Sequence, residues 1–515
     1  MNYFQNSFRN LSNRFSRAGV WAGILIASSF VIAILWINYT GYVEEDAFIT
    51  FRFARQIASG NGFVYNSGEP VYGTTTPLLT LLLAGWLKYF STDIVLGARL
   101  LGLFAFTGTL FFTWQTLRFL HRSTAEQLFP LAAILFSSKM LHMNTQGMEM
   151  PLVTFLMAAS WYACASEKMK WAGLISGLLL WTRVDLIFWP ATLVIVSGIR
   201  NLKNAKRMIL FAGLTYLPWI VFASLYFGSP IPHTITAKWV AYSQFNQSPL
   251  LPHLIKILNY LSPFYGVGDT FFLGSLIILS VILWAVWRGA IARERMLLVL
   301  IIFITAEITR LTLTRATFFS RYFVPLLWAA LVLFGVGLGA LWNVSRTARD
   351  AKFMFNIFLS ATLLIAIGSG LIFARDVRTK QIYRFDRSLK EIGFWLSRNS
   401  SPQSTILLEP LGYVGFYSHR WMIDEVGLVT PAVVELKRQG IGSEAYLLIF
   451  NPDYIILHCD DALRLHSKQE TGLAQSYTLS KEFNPLFFNP STPGRPPDPI
   501  GLVRDSCYQI WQRNK

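Results

Sequence analysis

The chain has 515 residues, of which 53% are hydrophobic and 14% are charged, whereas soluble domains carry about 25% charged residues. This composition excludes an ordinary soluble enzyme and indicates a membrane protein. The formal net charge of +17 does not indicate nucleic-acid binding, because the basic residues lie largely in short loops between apolar segments and no zinc-finger spacing accompanies them.

Twelve apolar segments precede residue 375 and predict membrane helices. The first segment contains no charge and lacks a small-residue cleavage site after it, so it predicts a retained span and not a signal peptide. The segments lie at 20–38, 76–90, 94–117, 127–140, 148–165, 171–182, 186–199, 208–227, 270–287, 296–309, 322–342 and 353–374.

The basic loops decide the topology. If all twelve segments crossed the bilayer, five Lys/Arg-rich loops would face outward, against the positive-inside rule. If residues 76–90 lie at the interface instead, these loops and the N-terminus are cytoplasmic and about eleven spans remain. We therefore predict a multi-pass inner-membrane protein with residues 1–374 as its transmembrane module and with residues after 374 on the periplasmic side.

Residues 375–515 differ in character and predict a small α/β domain. Residues 382–396 and 431–439 have helical patterns, whereas 405–408 and 454–457 are short apolar runs typical of buried strands. Cys459 and Cys507 both lie in this region, and either a disulfide or two free thiols is compatible with the sequence.

The first outer loop carries two adjacent acids, Glu45 and Asp46, just after the first span. They are suited to cap and begin the amphipathic helix that follows. A carboxylate at the bilayer surface is also partly desolvated, which raises its basicity and suits it to deprotonate an acceptor hydroxyl. The Gly- and hydroxyl-rich stretch 59–78 comes next, and such a loop can bring its backbone close to a ligand.

The first loop resembles the GT-C superfamily of membrane glycosyltransferases, and most of all bacterial proteins similar to terminal arabinofuranosyltransferases. Protein O-mannosyltransferases and lipid A aminoarabinose transferases are more distant relatives. The resemblance rests on three motifs: Glu45-Asp46-Ala47-Phe48-Ile49-x-Phe51-Arg52-Phe53-Ala54, Gly60-x-Gly62-Phe63-Val64-Tyr65-Asn66-x-Gly68-Glu69 and Gly73-Thr74-Thr75-x-Pro77-Leu78. It implies a polytopic α-helical GT-C fold with interfacial helices and a small C-terminal α/β periplasmic domain.

Three membrane-facing acidic and basic residues extend the resemblance. Glu149 begins a span on the outer side, so it is either a helix-start acid or a second active-site carboxylate. Arg183 and Asp185 match the ends of an Arg-Pro-Asp motif of similar proteins, with Val184 in place of the proline. They form either a structural ion pair at a tight bend or part of a substrate site near the hydrocarbon.

The remaining candidates are substrate-binding residues implied by the resemblance. Lys238 is a candidate phosphate ligand or a snorkelling lysine, and His233, which lacks zinc-site partners, is a structural or substrate-binding residue. Arg321, with Tyr322, either anchors the loop at the interface or grips the donor phosphate; Arg315 lies on the same loop. Asp424, in an Asp-x-x-Gly-Leu pattern, contacts the acceptor or holds a turn at Gly427.

The resemblance implies an inverting transferase that moves a sugar of arabinofuranose or mannose type. The donor is a polyprenyl-phosphate sugar, and the acceptor is a cell-envelope glycan, lipid or protein. Glu45 or Asp46 is the catalytic base in this hypothesis, and all of these acids and cations share one outer pocket. No cofactor or metal is required, although a divalent cation among Glu45, Asp46 and Glu149 is compatible with the sequence. The alternative is a polytopic transporter or flippase of envelope lipids, which predicts interrupted helices and charges deep within spans.

Overall fold

A computed structural model describes residues 17–242, 250–262, 270–291, 294–314, 319–467, 473–487 and 502–514. These residues form two compact units. The first comprises the described parts of Met1–Tyr39, Arg99–Leu217 and Ser248–Ala374. The second comprises the described parts of Thr40–Ala98, Pro218–Gln247 and Arg375–Lys515. The boundaries near residues 98, 217 and 374 fall inside continuous helices.

The first unit is built from helices. Each of its predicted apolar segments contains a helix, and only the segment 127–140 is divided, because Ser137 caps a new helix through a hydrogen bond from the N–H of Met140 at 3.3 Å. The helices that lie wholly or mainly in this unit are Arg17–Thr40, Ile94–Phe119, Thr124–Leu135, Ser138–Thr145, Met150–Ala165, Met169–Thr182, Phe188–Arg200, Leu202–Phe227, Leu250–Tyr260, Thr270–Trp287, Arg295–Thr314, Val324–Ser345 and Arg349–Lys380, with 3-10 turns at Val184–Leu186 and Ser320–Phe323.

Six helices in the described residues are long and apolar enough to cross a membrane. They are Ala18–Thr40, Ile94–Phe119, Leu202–Phe227, Arg295–Thr314, Ser320–Ser345 and Arg349–Asn399. Five further apolar helices are shorter than 18 residues. The chain is therefore a multi-pass helical protein, and the count of about eleven spans stays a prediction.

The central helix Val324–Ser345 packs tightly on Thr124–Leu135 in the first unit. Its Gly335 and Gly339 face the backbone of Pro130 and Glu126, where an added Cβ atom would collide. Small residues four apart allow two membrane helices to approach this closely. Gly173 and Gly177 repeat the arrangement against helix Leu202–Phe227.

The second unit combines short helices from the first part of the chain with the C-terminal region. Its helix Pro77–Tyr89 has 13 residues, and at 1.5 Å per residue it is about 20 Å long, shorter than the hydrocarbon core of about 30 Å. The other helices of this unit are Glu45–Ala58, His233–Tyr242, Glu391–Asn399, Leu411–Ser418, Pro431–Arg438, Tyr446–Phe450, Cys459–Ser467, Leu473–Ser476 and Leu502–Asp505, with a π-helical turn at Gln381–Lys390 and a 3-10 turn at Ser443–Ala445.

One mixed sheet forms the core of the C-terminal region. Its strands are β1 (Thr405–Leu408), β2 (Trp421–Asp424), β3 (Tyr454–His458), β4 (Tyr477–Phe483) and β5 (Tyr508–Arg513). The strand order is β2-β1-β3-β5-β4, with β1 parallel to β2 and β3, and β5 antiparallel to β3 and β4. The predicted strands at 405–408 and 454–457 and the predicted α/β character are thus observed. Cys459 and Cys507 form a disulfide beside this sheet.

Candidate active site

The acids Glu45 and Asp46 lie at the start of helix Glu45–Ala58, in the second unit. Glu44 caps the helix, since its side chain accepts the N–H of Glu45 and its Oε2 accepts the hydroxyl of Tyr42 at 3.1 Å. Glu45 and Asp46 occupy the first turn, where the positive end of the helix dipole favours carboxylates. The predicted capping function therefore falls on Glu44, one residue earlier than expected.

Glu45 is held by the C-terminal region of the same unit. Its Oε1 accepts the backbone N–H of Gly412, at the start of helix Leu411–Ser418. An added Cβ atom on Gly412 would collide with the carbonyl oxygen of Glu45 and lie 2.7 Å from its Oε1. The glycine is thus what allows this close approach.

Burial raises the pKa of the Glu45 carboxyl well above its ordinary value. The negative charges of Asp46 and Glu409 raise this pKa further, whereas the hydrogen bond from Gly412 and the charge of Arg384 oppose the rise. Glu45 is consequently a stronger base than a solvated carboxylate. This is the electrostatic setting that a general base requires near neutral pH.

Glu409 is a further acid of this cluster that the sequence did not single out. It directly follows β1, and Leu408 is paired with Asp424 at the end of the parallel strand β2. The side chain is exposed, yet partial desolvation, with the opposing charge of Arg384 and the like charges of Glu425, Asp424 and Asp46, leaves its pKa raised to about 7. Carboxyl ends of parallel strands are common ligand positions. The strand predicted at 405–408 could therefore have pointed to Glu409.

Arg384 is the principal cation near these acids. Its Nη1 lies 2.8 Å from Oδ2 of Asp505, and its charge acts on both Glu45 and Glu409. Tyr508 is fully buried close by, and no hydrogen-bond partner for its hydroxyl is found among the described residues. Neither residue carries a local sequence signal, because only the tertiary fold brings them to the acids.

Asp424 is buried and organises the turn after β2. Its carboxylate accepts backbone N–H groups of Val426 at 2.9 Å, Val429 at 3.2 Å and Leu428. Burial nevertheless raises the pKa of Asp424 to about 6. The turn at Gly427, with φ of +93°, accounts for these bonds, and contact of Asp424 with an acceptor stays a prediction.

His233 and Lys238 lie on helix His233–Tyr242, which packs on Pro431–Arg438 in the second unit. The N–H of His233 donates to the carbonyl of Tyr72 at 3.0 Å, within the Gly-rich stretch 59–78. Burial lowers the pKa of the His233 imidazole, and a hydrogen bond with the backbone of Gly427 opposes this shift. His233 therefore lies beside the turn that Asp424 holds, while Lys238 is half-buried one helical turn further on.

A second cluster of predicted residues lies in the first unit. Arg183 binds Asp185 with two nitrogens, at 2.9 Å and 2.7 Å. Its Nη1 also donates to Oε1 of Glu149 at 2.8 Å, with the Glu149 side chain only 2% exposed. The Arg183 guanidinium lies 4.9 Å from the ring centre of Tyr322. The structure thus brings together four residues that the sequence identified at three separate places.

Arg321 directly precedes Tyr322 in the sequence and also belongs to the first unit. Its guanidinium is 4.9 Å from the ring centre of Phe319 and 5.9 Å from that of Tyr322. Arg315 lies outside the described residues. A second ion pair of the unit joins the buried Glu307 and the half-buried Arg310 at 2.7 Å. The charge of Arg310 acts on Asp185.

Known proteins resemble the chain over different parts of its length. The family described as "Domain of unknown function (DUF8728)" matches residues 375–511. A terminal beta-(1->2)-arabinofuranosyltransferase of Mycobacterium tuberculosis is 23% identical in an alignment of 250 residues that covers 43% of this chain. The match spans only 38% of the length of that relative.

Solved structures match almost the whole chain. A crystal structure of ArnT from Cupriavidus metallidurans bound to undecaprenyl phosphate has a TM-score of 0.62 and 13% identity, with 95% of this chain and 97% of that chain covered. The Archaeoglobus fulgidus oligosaccharyltransferase in the apo form has a TM-score of 0.57 and 12% identity, with 86% and 70% covered. These matches show that the chain shares the fold of ArnT and of the oligosaccharyltransferase, as the resemblance of the first loop to the GT-C superfamily implied.

Proposed function

We propose that this chain is a membrane glycosyltransferase that moves a sugar from a polyprenyl-phosphate donor to a cell-envelope glycan, lipid or protein. The observation that carries the proposal is the match of nearly the full chain to an ArnT structure bound to undecaprenyl phosphate. The acid pair at the start of helix Glu45–Ala58 supports it, since Glu45 is set up as a raised-pKa base. A sugar of arabinofuranose or mannose type is the proposed cargo, in keeping with the arabinofuranosyltransferase relative.

The proposed reaction is an inverting displacement. A carboxylate, Glu45 or Asp46, takes the proton of an acceptor hydroxyl, and the oxygen attacks the anomeric carbon from the face opposite the phosphate. The bond between that carbon and the phosphate oxygen breaks, and the polyprenyl phosphate leaves with the electron pair. General-base catalysis contributes about 10²–10⁴-fold, so positioning and charge stabilisation must supply the remaining acceleration.

Each remaining candidate has a proposed task in this reaction. Arg321 and Lys238 bind the donor phosphate as cations. Tyr322, which faces the Arg183 guanidinium, borders the same substrate. Arg183 positions Glu149 and Asp185 through the ion pairs described above, and Glu149 binds the acceptor. His233 and Asp424 are proposed to contact the acceptor through the loop at Gly427.

Two observations bear on which acid is the base. One carboxylate oxygen of Glu45 is committed to the Gly412 N–H, which leaves the other oxygen for a substrate proton. Asp46 is half-buried in the same helical turn, and its charge raises the pKa of Glu45. We propose that the two acids act as a coupled pair, with one of them taking the proton.

The proposed location is the inner membrane, with the acids on the periplasmic side. The disulfide between Cys459 and Cys507 supports this orientation, because disulfides persist in oxidising compartments such as the periplasm. The transporter alternative is not favoured, since the matched proteins are transferases.

Purified protein incubated with a panel of polyprenyl-phosphate sugars tests the proposal. Release of free polyprenyl phosphate with at least one donor, together with a labelled acceptor product, is the expected result. The same assay with and without a chelator decides whether a divalent cation takes part, and we propose that none is required. Absence of release with every donor tested would contradict the proposal.

A further inference from the structure

A polar cavity of about 600 Å³ lies in the second unit, away from the acid pair. It is bordered by the last turns of helix Glu45–Ala58, by the loop after this helix and by the starts of β1 and β2. Arg55 follows Glu45 by ten residues, which corresponds to about 15 Å along the helix axis. The polar side chains that line the cavity include Arg52, Arg55, Asn61, Asn66, His419 and Arg420.

Two of its arginines are buried and are bonded to neutral oxygens. Arg52 is 6% exposed and Arg420 is 7% exposed. Arg52 donates to the carbonyls of Tyr65, Gly415 and Arg420 and to the amide oxygen of Asn66. Arg420 donates to the carbonyls of Ser397, Ser400 and Ser418 and to the hydroxyl of Ser400.

The third arginine presents unused donors to the cavity. The Arg55 guanidinium lies over the ring of Phe416, with its Cζ 3.4 Å from the ring centre. Its Nη1 donates to the carbonyl of Phe416 at 2.9 Å and lies 3.2 Å from Nδ1 of His419. Its Nε and Nη2 have no protein hydrogen-bond acceptor in the part of the chain that the structure describes.

The positive charges of this cavity are not neutralised by carboxylates. Within the described ranges, no salt bridge is formed by Arg52, Arg55 or Arg420, and the cavity lining contains no acid. Buried charges are normally paired, because their desolvation is costly. Burial, together with the three guanidinium groups, lowers the pKa of the His419 imidazole to about 4, which is further evidence of a strongly positive potential.

We infer that this cavity binds a phosphoryl group, carried by a phosphorylated glycan or by a lipid headgroup. The planar forks of arginine match phosphate oxygens in pairs, and Arg55 has two donors free to form such a pair. Asn66 and His419 border the same space, and the volume exceeds that of a bare phosphate, so it accommodates the group to which the phosphate is attached. This site is separate from the acid pair and does not depend on the proposed sugar transfer.

The test measures phosphate binding to the full-length protein in a neutral detergent. Calorimetry with inorganic phosphate and with glucose 6-phosphate covers the soluble source. Nanodiscs of phosphatidylcholine with and without phosphatidic acid, with thermal unfolding as the readout, cover the lipid source. The variant is Arg55→Gln, and its matched control is Arg398→Gln, which removes an equal charge from an exposed position of the same unit outside the cavity.

We expect Arg55→Gln to weaken binding of at least one probe by about tenfold or more, as for loss of a charge-assisted hydrogen bond, and Arg398→Gln to have no effect. Arg55→Lys should retain part of the affinity, which separates loss of charge from loss of fold. Phosphate should also raise the pKa of His419, measured by histidine NMR and assigned with His419→Gln. No binding of any probe to the wild-type chain, or equal binding by Arg55→Gln, would overturn the inference.

Discussion

The backbone N–H of Gly412 donates a hydrogen bond to Oε1 of Glu45, a residue 367 positions earlier in the chain. Through this bond the C-terminal region fixes the orientation of an acid at the start of helix Glu45–Ala58. The C-terminal region of the second unit is therefore part of the machinery that positions the proposed base.

The contact predicts a large effect for Gly412→Ala. The new Cβ atom would collide with the Glu45 carbonyl, and overpacking of this kind costs about 1–3 kcal/mol. We expect a lower melting temperature and a loss of transferase activity that exceeds the loss of folded protein. Gly442→Ala is the control, because nothing lies within 4 Å of its Cβ position. Equal behaviour of the two variants would show that the contact is unimportant.

The acid cluster predicts stability that declines as the pH rises. The folded-state pKa of Glu409 is raised to about 7, above the ordinary glutamate value of about 4.3, so the folded state binds this proton more tightly than the unfolded state. Its contribution to stability is complete below that ordinary value and is lost as the pH rises through about 7. Glu45 shifts in the same direction.

Glu409→Gln should therefore flatten the decline in melting temperature between about pH 5 and pH 8. The measurement is thermal unfolding of both proteins in one detergent across this range. A melting temperature that rises with pH by the same amount in both proteins would contradict the assignment.

The ion pairs of Arg183 predict that substitutions at Arg183 and Glu149 have coupled effects on stability. Arg183→Ala would leave Glu149, whose side chain is 2% exposed, as an unpaired buried charge, at a cost of about 3–5 kcal/mol. Arg183→Lys should lose the bidentate bond to Asp185 and destabilise the protein less than Arg183→Ala does. The double variant Glu149→Gln, Arg183→Ala should lose less stability than the sum of the single variants. Strictly additive losses in thermal unfolding would show that the pair is not coupled.

The disulfide leads to a prediction about the stability of the protein and to one about the side of the membrane that the C-terminal region faces. It closes a segment with a sequence separation of 48, for which loop entropy corresponds to about 4 kcal/mol. Cys507→Ser should lower the melting temperature much more than Cys164→Ala, which removes a free thiol. In intact cells, Cys459 and Cys507 should react with a membrane-impermeant thiol reagent only after reduction. Labelling without prior reduction would place reduced thiols in this region.

The helices were readable from sequence because each apolar segment is a local signal. The segment 127–140 was the exception, since one helix ends at Leu135 and Ser137 caps the next. Strands β1 and β3 were also predicted, because short apolar runs between breaks need no knowledge of their partners. Strands β4 and β5 were not identified, and their pairing is a property of the assembled sheet.

The site was predictable only where charged residues interrupt apolar sequence. Arg183 and Asp185 are adjacent enough to suggest a pair, whereas the bond from Arg183 to Glu149 spans 34 residues and depends on how two helices pack. Arg384 and Tyr508 were missed for the same physical reason. The cap of helix Glu45–Ala58 is Glu44 because the helix begins one residue earlier than the Glu45–Asp46 pair suggested.

The most direct measurement is release of polyprenyl phosphate by wild-type protein, Glu45→Gln and Asp46→Asn, each purified with an unchanged melting temperature. We expect turnover by the wild-type protein and a loss of at least about 100-fold in one of the two variants, which is the lower end of the range for removal of a general base. Undiminished release by both variants would contradict it.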